Sequence, residues 1–172
     1  VNQENSLRCE SHITVLGLGT ESDTMHALDV IDWAIIRELQ ADARLSYSEL
    51  SRRVHMSTPA VAERVRRLEQ ASVIRGYHAE VDPAACGWPV SAWVRMACYG
   101  PNCILRDDAV ARWPEVTEIH RVTGPDCSVV KVSAQSMQAF EGLIDRLAVY
   151  GTPTSTLVLS SPLPRRDVMP PE

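Results

Sequence analysis

The sequence predicts an α+β fold: an N-terminal winged helix-turn-helix domain of three helices, followed by a ferredoxin-like βαββαβ domain. Three observations carry this. Residues 46–72, SYSELSRRVHMSTPAVAERVRRLEQAS, read as two short helices joined by a tight turn. From residue 90 onward, turn-bounded apolar runs and amphipathic stretches alternate as strand, helix, strand, strand, helix, strand. Gly100-Pro101, Gly124-Pro125 and Gly151-Thr152-Pro153 punctuate that second half.

Taken in order, residues 1–27 are polar and lack helical periodicity, with 13–18 the one strand-like run. They are expected to be a disordered tail, or a misassigned upstream extension if Met25 is the true start. Residues 28–41 form the first helix: Asp29 and Asp32 suit its positive end, and Ile31, Ile35 and Leu39 make the buried stripe. Ser46 and Glu49 make a capping box for the second helix, on which Leu50 and Val54 share one face. The turn after Val54 puts His55 where glycine is usual because φ is positive; histidine tolerates this at some strain. Ser57 or Thr58 caps the third helix, and Pro59 sits in its first turn, where a missing N–H costs nothing. Val61, Val65 and Leu68 face the core, which turns Ala60, Glu63, Arg64 and Arg67 outward. Residues 73–81 read as a strand or wing, so the helical domain spans 28–78 and a linker 79–89.

A helix-turn-helix lays the N-terminal half of its second helix in the DNA major groove. An ordinary helical hairpin with a solvated charged face is the competing reading. The net charge of −5 is unevenly spread: residues 28–78 hold eight arginines against seven acids, while both flanks are acidic. Only Lys131 among the 17 basic residues is a lysine, and arginine suits bidentate contact with phosphate or guanine. Ser46, Ser57, Thr58 and Pro59 are candidate DNA-binding residues, Ser57 and Thr58 at the helix N-terminus being placed for phosphate. Ala60, Glu63 and Arg64 are placed for base edges, and Arg66 or Arg67 for the backbone. No apolar stretch reaches membrane-spanning length and no signal pattern appears, so a cytoplasmic protein without membrane contact is expected.

In the second domain (90–162) strands are expected at 90–99, 116–123, 126–134 and 154–161, with helices at 104–113 and 137–149. Apolar residues fall on both strand faces, so the face without helices should meet a second subunit. Residues 163–172 are proline-rich and expected to be disordered. The five cysteines (Cys9, Cys86, Cys98, Cys103, Cys127) contain no CxxC and form no disulfide framework; most are expected to be reduced. Cys98 and Cys103 with His120 match no standard zinc spacing, and no metal or cofactor is expected.

Four stretches now resemble one family: LDVIDWAIIRELQADARLSYSELSRRV, STPAVAERVRRLEQASVIRGYHAEVDP, VTGPDCSVVKV and TSTLVLSSP. They are similar to the Lrp/AsnC (leucine-responsive/asparagine regulator, feast/famine) transcription factors, over about residues 28–166. The resemblance implies a sequence-specific DNA-binding regulator, homodimers built through the sheets, octamers or discs assembled from those dimers, and an amino acid or related metabolite as effector. It places the effector at Gly124, Pro125, Asp126 and Cys127, with Thr152, Thr154 and Ser155 approaching from the other side. Asp126 can accept an ammonium, while loop N–H groups and hydroxyls take a carboxylate. A plain hairpin turn is the alternative for that loop. Departures from the family pattern are His55 and Ser72, where glycines are common, and Pro125, which removes one loop N–H.

Two other functions compete. Haem-pathway decarboxylases are similar in architecture but use histidine and arginine near the first strand, where this chain has Val81-Asp82-Pro83-Ala84-Ala85; no enzyme is therefore expected. A nucleoid-type architectural DNA-binding protein without effector is the other.

Overall fold

The computed structural model describes residues 27–98, 100 and 102–171. The expectations for 13–18 and Met25 lie outside the described residues. The described residues form two compact units: Val81–Pro162 makes one, and residues 27–80 make the other together with residues 163–171.

In the helical unit, α1 spans Val30–Ala41, α2 Tyr47–Arg53 and α3 Thr58–Gln70. Asp29 and Asp32 close a reciprocal capping box at the start of α1: the Asp32 N–H donates to Asp29 at 2.7 Å and the Asp29 N–H to Asp32 at 3.3 Å. Ser46 caps α2 by accepting from the Glu49 N–H at 3.2 Å. Ile35, Ile36, Leu45, Leu50, Val61, Val65 and Leu68 make the core of this unit. His55 and Ser72 adopt φ of 54° and 55°, the left-handed conformation expected at His55. Residues 75–80 form no strand, contrary to the expected strand or wing. A strand needs an edge to pair with; here Tyr77 instead donates its hydroxyl to Glu69 at 2.9 Å. In the segment expected to be a disordered tail, Val168 exchanges two hydrogen bonds with the Gln40 amide, at 2.8 and 3.0 Å.

The other unit is a four-stranded antiparallel sheet in the order β2-β3-β1-β4, from β1 Val90–Cys98, β2 Val116–Arg121, β3 Ser128–Ala134 and β4 Gly151–Leu157. The helix α4, Met137–Ala148, covers one face, setting Phe140, Leu143 and Leu147 among Ala92, Val94, Met96, Val130 and Val132. The helix expected at 104–113 is instead two 3-10 turns, Ile104–Arg106 and Val110–Arg112. Asp107 separates them. Its backbone is extended, and its carboxylate accepts from the Ala109 N–H at 2.9 Å and the Tyr150 hydroxyl at 2.7 Å, a local turn that competes with helix.

The last strand begins at Gly151 rather than 154. A Cβ at Gly151 would collide with the Ala97 carbonyl oxygen and sit 2.8 Å from the Cys98 Cα, so only glycine allows β4 to start this close to β1. β4 is an edge strand, which accommodates Pro153 and its missing donor.

Candidate DNA-binding and effector surfaces

Helical geometry sorts the residues of α3. With Val61, Val65 and Leu68 inward, Pro59, Glu63, Arg66 and Gln70 fall on the opposite side, and all four are exposed. Ser57 is the N-cap, is exposed, and makes no side-chain capping bond. The Thr58 hydroxyl lies 3.2 Å from that of Ser51, which itself donates to the Ser48 carbonyl at 2.9 Å. Thr58 therefore ties α3 to α2 at their crossing. Ala60 is half-buried, and Ser46 is exposed at the head of α2.

Arg64 departs from expectation. It does not face outward: its side chain is only 20% exposed, and Nη1 donates at 2.7 Å to both Asp29 and Asp32 of the α1 cap. Asp32 is buried and also receives Arg67 at 3.3 Å. The short bond from the Asp32 N–H, followed by the Arg64 guanidinium, holds the Asp29 carboxyl below its usual range. Arg64 sits at the margin of the buried stripe, where a long side chain reaches the acids of α1 sooner than solvent. The two acids expected merely to suit a helix dipole are thus the anchors of α3.

The exposed arginine on the outer face is Arg66. Its guanidinium forks onto Glu63, with Nε 3.0 Å from one carboxylate oxygen and Nη2 against the other. This holds the Glu63 carboxyl below its usual range. Arg52, exposed on α2, was not singled out by sequence reasoning. A basic residue next to the second helix of such a motif was its available signal.

On the sheet, register decides which expected effector residues meet. Ala92, Val94 and Met96 face α4, so Trp93, Arg95 and Ala97 face the other way. Thr152 pairs with Ala97 and Thr154 with Arg95, which puts both threonines on that opposite face. Ser155 pairs with Val94 and points to the helix side, away from them. Gly124, with φ of 115°, turns the loop between β2 and β3, and Pro125 is exposed beside it. Asp126 then lies 3.8 Å from the Arg95 guanidinium. Arg95 was missed, yet an arginine at outward parity inside the apolar run VSAWVRMAC was a legible signal. The same face carries Lys131, whose ammonium bonds Glu118 at 2.8 Å and lies over the Trp93 ring at 5.6 Å.

Cys127 is not loop-facing in the way expected. Cys98 and Cys127 form a disulfide, a pairing not anticipated within a set expected to be mostly reduced, and the buried Cys103 sulfur lies 2.9 Å from that of Cys98. His120, considered with Cys98 and Cys103 from the sequence, stands elsewhere, exposed on β2 and 2.9 Å from Glu118.

Among the described residues no helix is long and apolar enough to cross a membrane. The AsnC-type helix-turn-helix domain matches residues 28–69, and the Lrp/AsnC ligand binding domain matches 106–168. The HTH-type transcriptional regulator LrpC of Bacillus subtilis is 35% identical over 133 residues, covering 77% of this chain and 92% of that protein. LrpA of Mycobacterium tuberculosis is 38% identical over 140 residues, 78% of this chain and 92% of the relative. Among solved structures, a feast or famine regulatory protein from M. tuberculosis complexed with L-methionine aligns with a TM-score of 0.75 and 38% identity, covering 84% of this chain and all of that one. Two domain matches in the expected order, and relatives covered almost end to end, fix the assignment: the chain belongs to the Lrp/AsnC family of transcriptional regulators.

Proposed function

We propose that a homodimer sets two copies of α3 in successive major grooves roughly 34–36 Å apart, on imperfect palindromic operators in the cytoplasm. Ser57, at the α3 entrance, and Arg52 contact phosphate; Pro59, Ala60, Glu63 and Arg66 approach base edges; Arg67 and Ser46 line the flanks. Arg64 positions α3 against α1 and reads no base. The protein works by binding, without catalysis.

The effector is an amino acid held at Asp126 and Arg95. The observation that carries this is their separation of 3.8 Å on one sheet face, with Thr154 paired beside Arg95. A free amino acid is a zwitterion: Asp126 takes its ammonium and Arg95 its carboxylate, with Gly124, Pro125, Thr152 and Thr154 bounding the side chain. The relative solved with L-methionine supports this ligand class. The mixed polar and aromatic sheet face around Trp93 packs against its dimer mate, and dimers join into octamers. Ligand binding shifts that assembly only through different affinities for its states.

The test is a thermal-shift screen of the full chain against amino acids and keto acids, repeated on Asp126→Ala and Arg95→Ala. A ligand at about 100 times its dissociation constant stabilises by ~2.7 kcal/mol. The reading expects a hit that both variants lose while ligand-free DNA binding persists. A hit retained by both would refute the site.

A further inference from the structure

We propose that the effector domain carries a second, separate site: a three-thiolate cluster of Cys98, Cys103 and Cys127 that binds one thiophilic d10 cation once its disulfide is reduced. The three sulfurs come from the end of β1, the connection after it, and the residue leading into β3, and all lie within 4.8 Å of one another. The backbone fixes this arrangement: the Cys127 N–H donates to the Met96 carbonyl at 2.8 Å, which locks the entry of β3 beside the end of β1. Cys103 is 2% exposed, while Cys98 and Cys127 are half-buried and leave an approach from solvent.

The shape of the cluster favours a metal over a thiol relay. Attack of Cys103 on the Cys98 sulfur in line with the disulfide would set Cys103 and Cys127 about 5 Å apart. They are 3.7 Å apart, so the sulfurs form a closed triangle. Thiolates bound tetrahedrally at about 2.3 Å from one ion stand roughly 3.7–3.8 Å from each other. Cys103 and Cys127 already meet that spacing, and opening the Cys98–Cys127 bond lets the other two edges reach it across a Cα separation of 6.1 Å. Among the described residues no carboxylate or imidazole joins the group, and an all-sulfur donor set selects soft cations over magnesium or calcium.

The chemistry balances in two steps. A dithiol reductant gives two electrons and two protons to the disulfide, yielding two thiols and leaving as its own disulfide. Binding the cation then releases one proton from each of the three thiols. Bound metal would fix Cys127 next to Asp126; that consequence rests on the effector reading, whereas the site itself does not.

Cadmium(II) is the probe. The full chain, reduced with a phosphine and desalted without oxygen, is titrated while thiolate-to-cadmium charge-transfer absorbance is followed. Saturation at one equivalent is expected, unaffected by excess magnesium and unchanged in Cys9→Ser/Cys86→Ser. The unreduced protein should show no band. Cys103→Ser, checked for fold by circular dichroism, should weaken binding at least about 10-fold. Absence of a saturable band in the reduced, folded protein would overturn the proposal. So would full binding by Cys103→Ser, or loss of binding in Cys9→Ser/Cys86→Ser. Retention of an amino-acid thermal shift in Cys103→Ser keeps this failure distinct from failure of the effector site.

Discussion

Replacing Arg64 by alanine should destabilise the helical unit by about 2 kcal/mol, and the size follows from its two bonds. A hydrogen bond to a charged group contributes roughly 1.5–3 kcal/mol when well enclosed. The Asp29 side chain is 49% exposed and screened by solvent, so that arm is worth only about 0.5 kcal/mol. The Asp32 side chain is 6% exposed, and losing Arg64 strips most of the compensation from a buried carboxylate. Arg67, at 3.3 Å, retains part of it, which holds that arm to about 1.5 kcal/mol. Urea unfolding followed by far-ultraviolet circular dichroism should show the helical unit's midpoint falling by about 2 M, for a slope near 1 kcal/mol/M. Asp32→Asn in the same background should be non-additive with Arg64→Ala, since the two share one contact. An unchanged midpoint together with a ~10-fold or larger loss of operator affinity would refute this reasoning and return Arg64 to the base edges.

Three further outcomes follow from the geometry. Glu63→Gln takes a negative charge off the outer face of α3 and frees the Arg66 fork, so operator affinity should rise; unaltered affinity in fluorescence anisotropy counts against Arg66 at the interface. Gly151→Ala forces β4 from β1 and should cost roughly 2–3 kcal/mol, read as lost amide protection at Ala97 and Thr152; normal protection would contradict the packing. Lys131 first, and then His120, hold the Glu118 carboxyl below its unfolded value. The unfolded chain therefore binds that proton more readily, so its stabilisation is full above about pH 4–5 and lost as pH falls through the lowered folded value. Glu118→Gln should flatten acid unfolding over that window, and an identical acid profile would remove the pair from the account.

Much of the architecture was legible because local rules and the global fold agree. The stripe of Val61, Val65 and Leu68, the Ser46 cap and the left-handed turn at His55 each follow from neighbours within a few residues. The succession of strands and α4 follow from alternation and turn residues in the same way. What was illegible depends on partners far along the chain. Arg64 belongs to Asp29 and Asp32, more than thirty residues earlier, and its place at the edge of the stripe admits either direction. Asp107 breaks the expected helix because Tyr150 binds it from across the domain. Register separates Ser155 from Thr154, which sequence proximity had joined, and it gathers three cysteines whose spacing carries no motif.

The central claim is sequence-specific DNA recognition through the outer face of α3. The most direct measurement is selection of duplexes from a random library by the full-length protein, with Arg66→Ala selected in parallel. The account predicts enrichment of an imperfect palindrome whose half-sites lie about 10–10.5 base pairs apart, or a multiple of that, and loss of this motif with Arg66→Ala. Uniform recovery of unrelated sequences by the wild-type protein would contradict it and mark the protein as an architectural DNA binder.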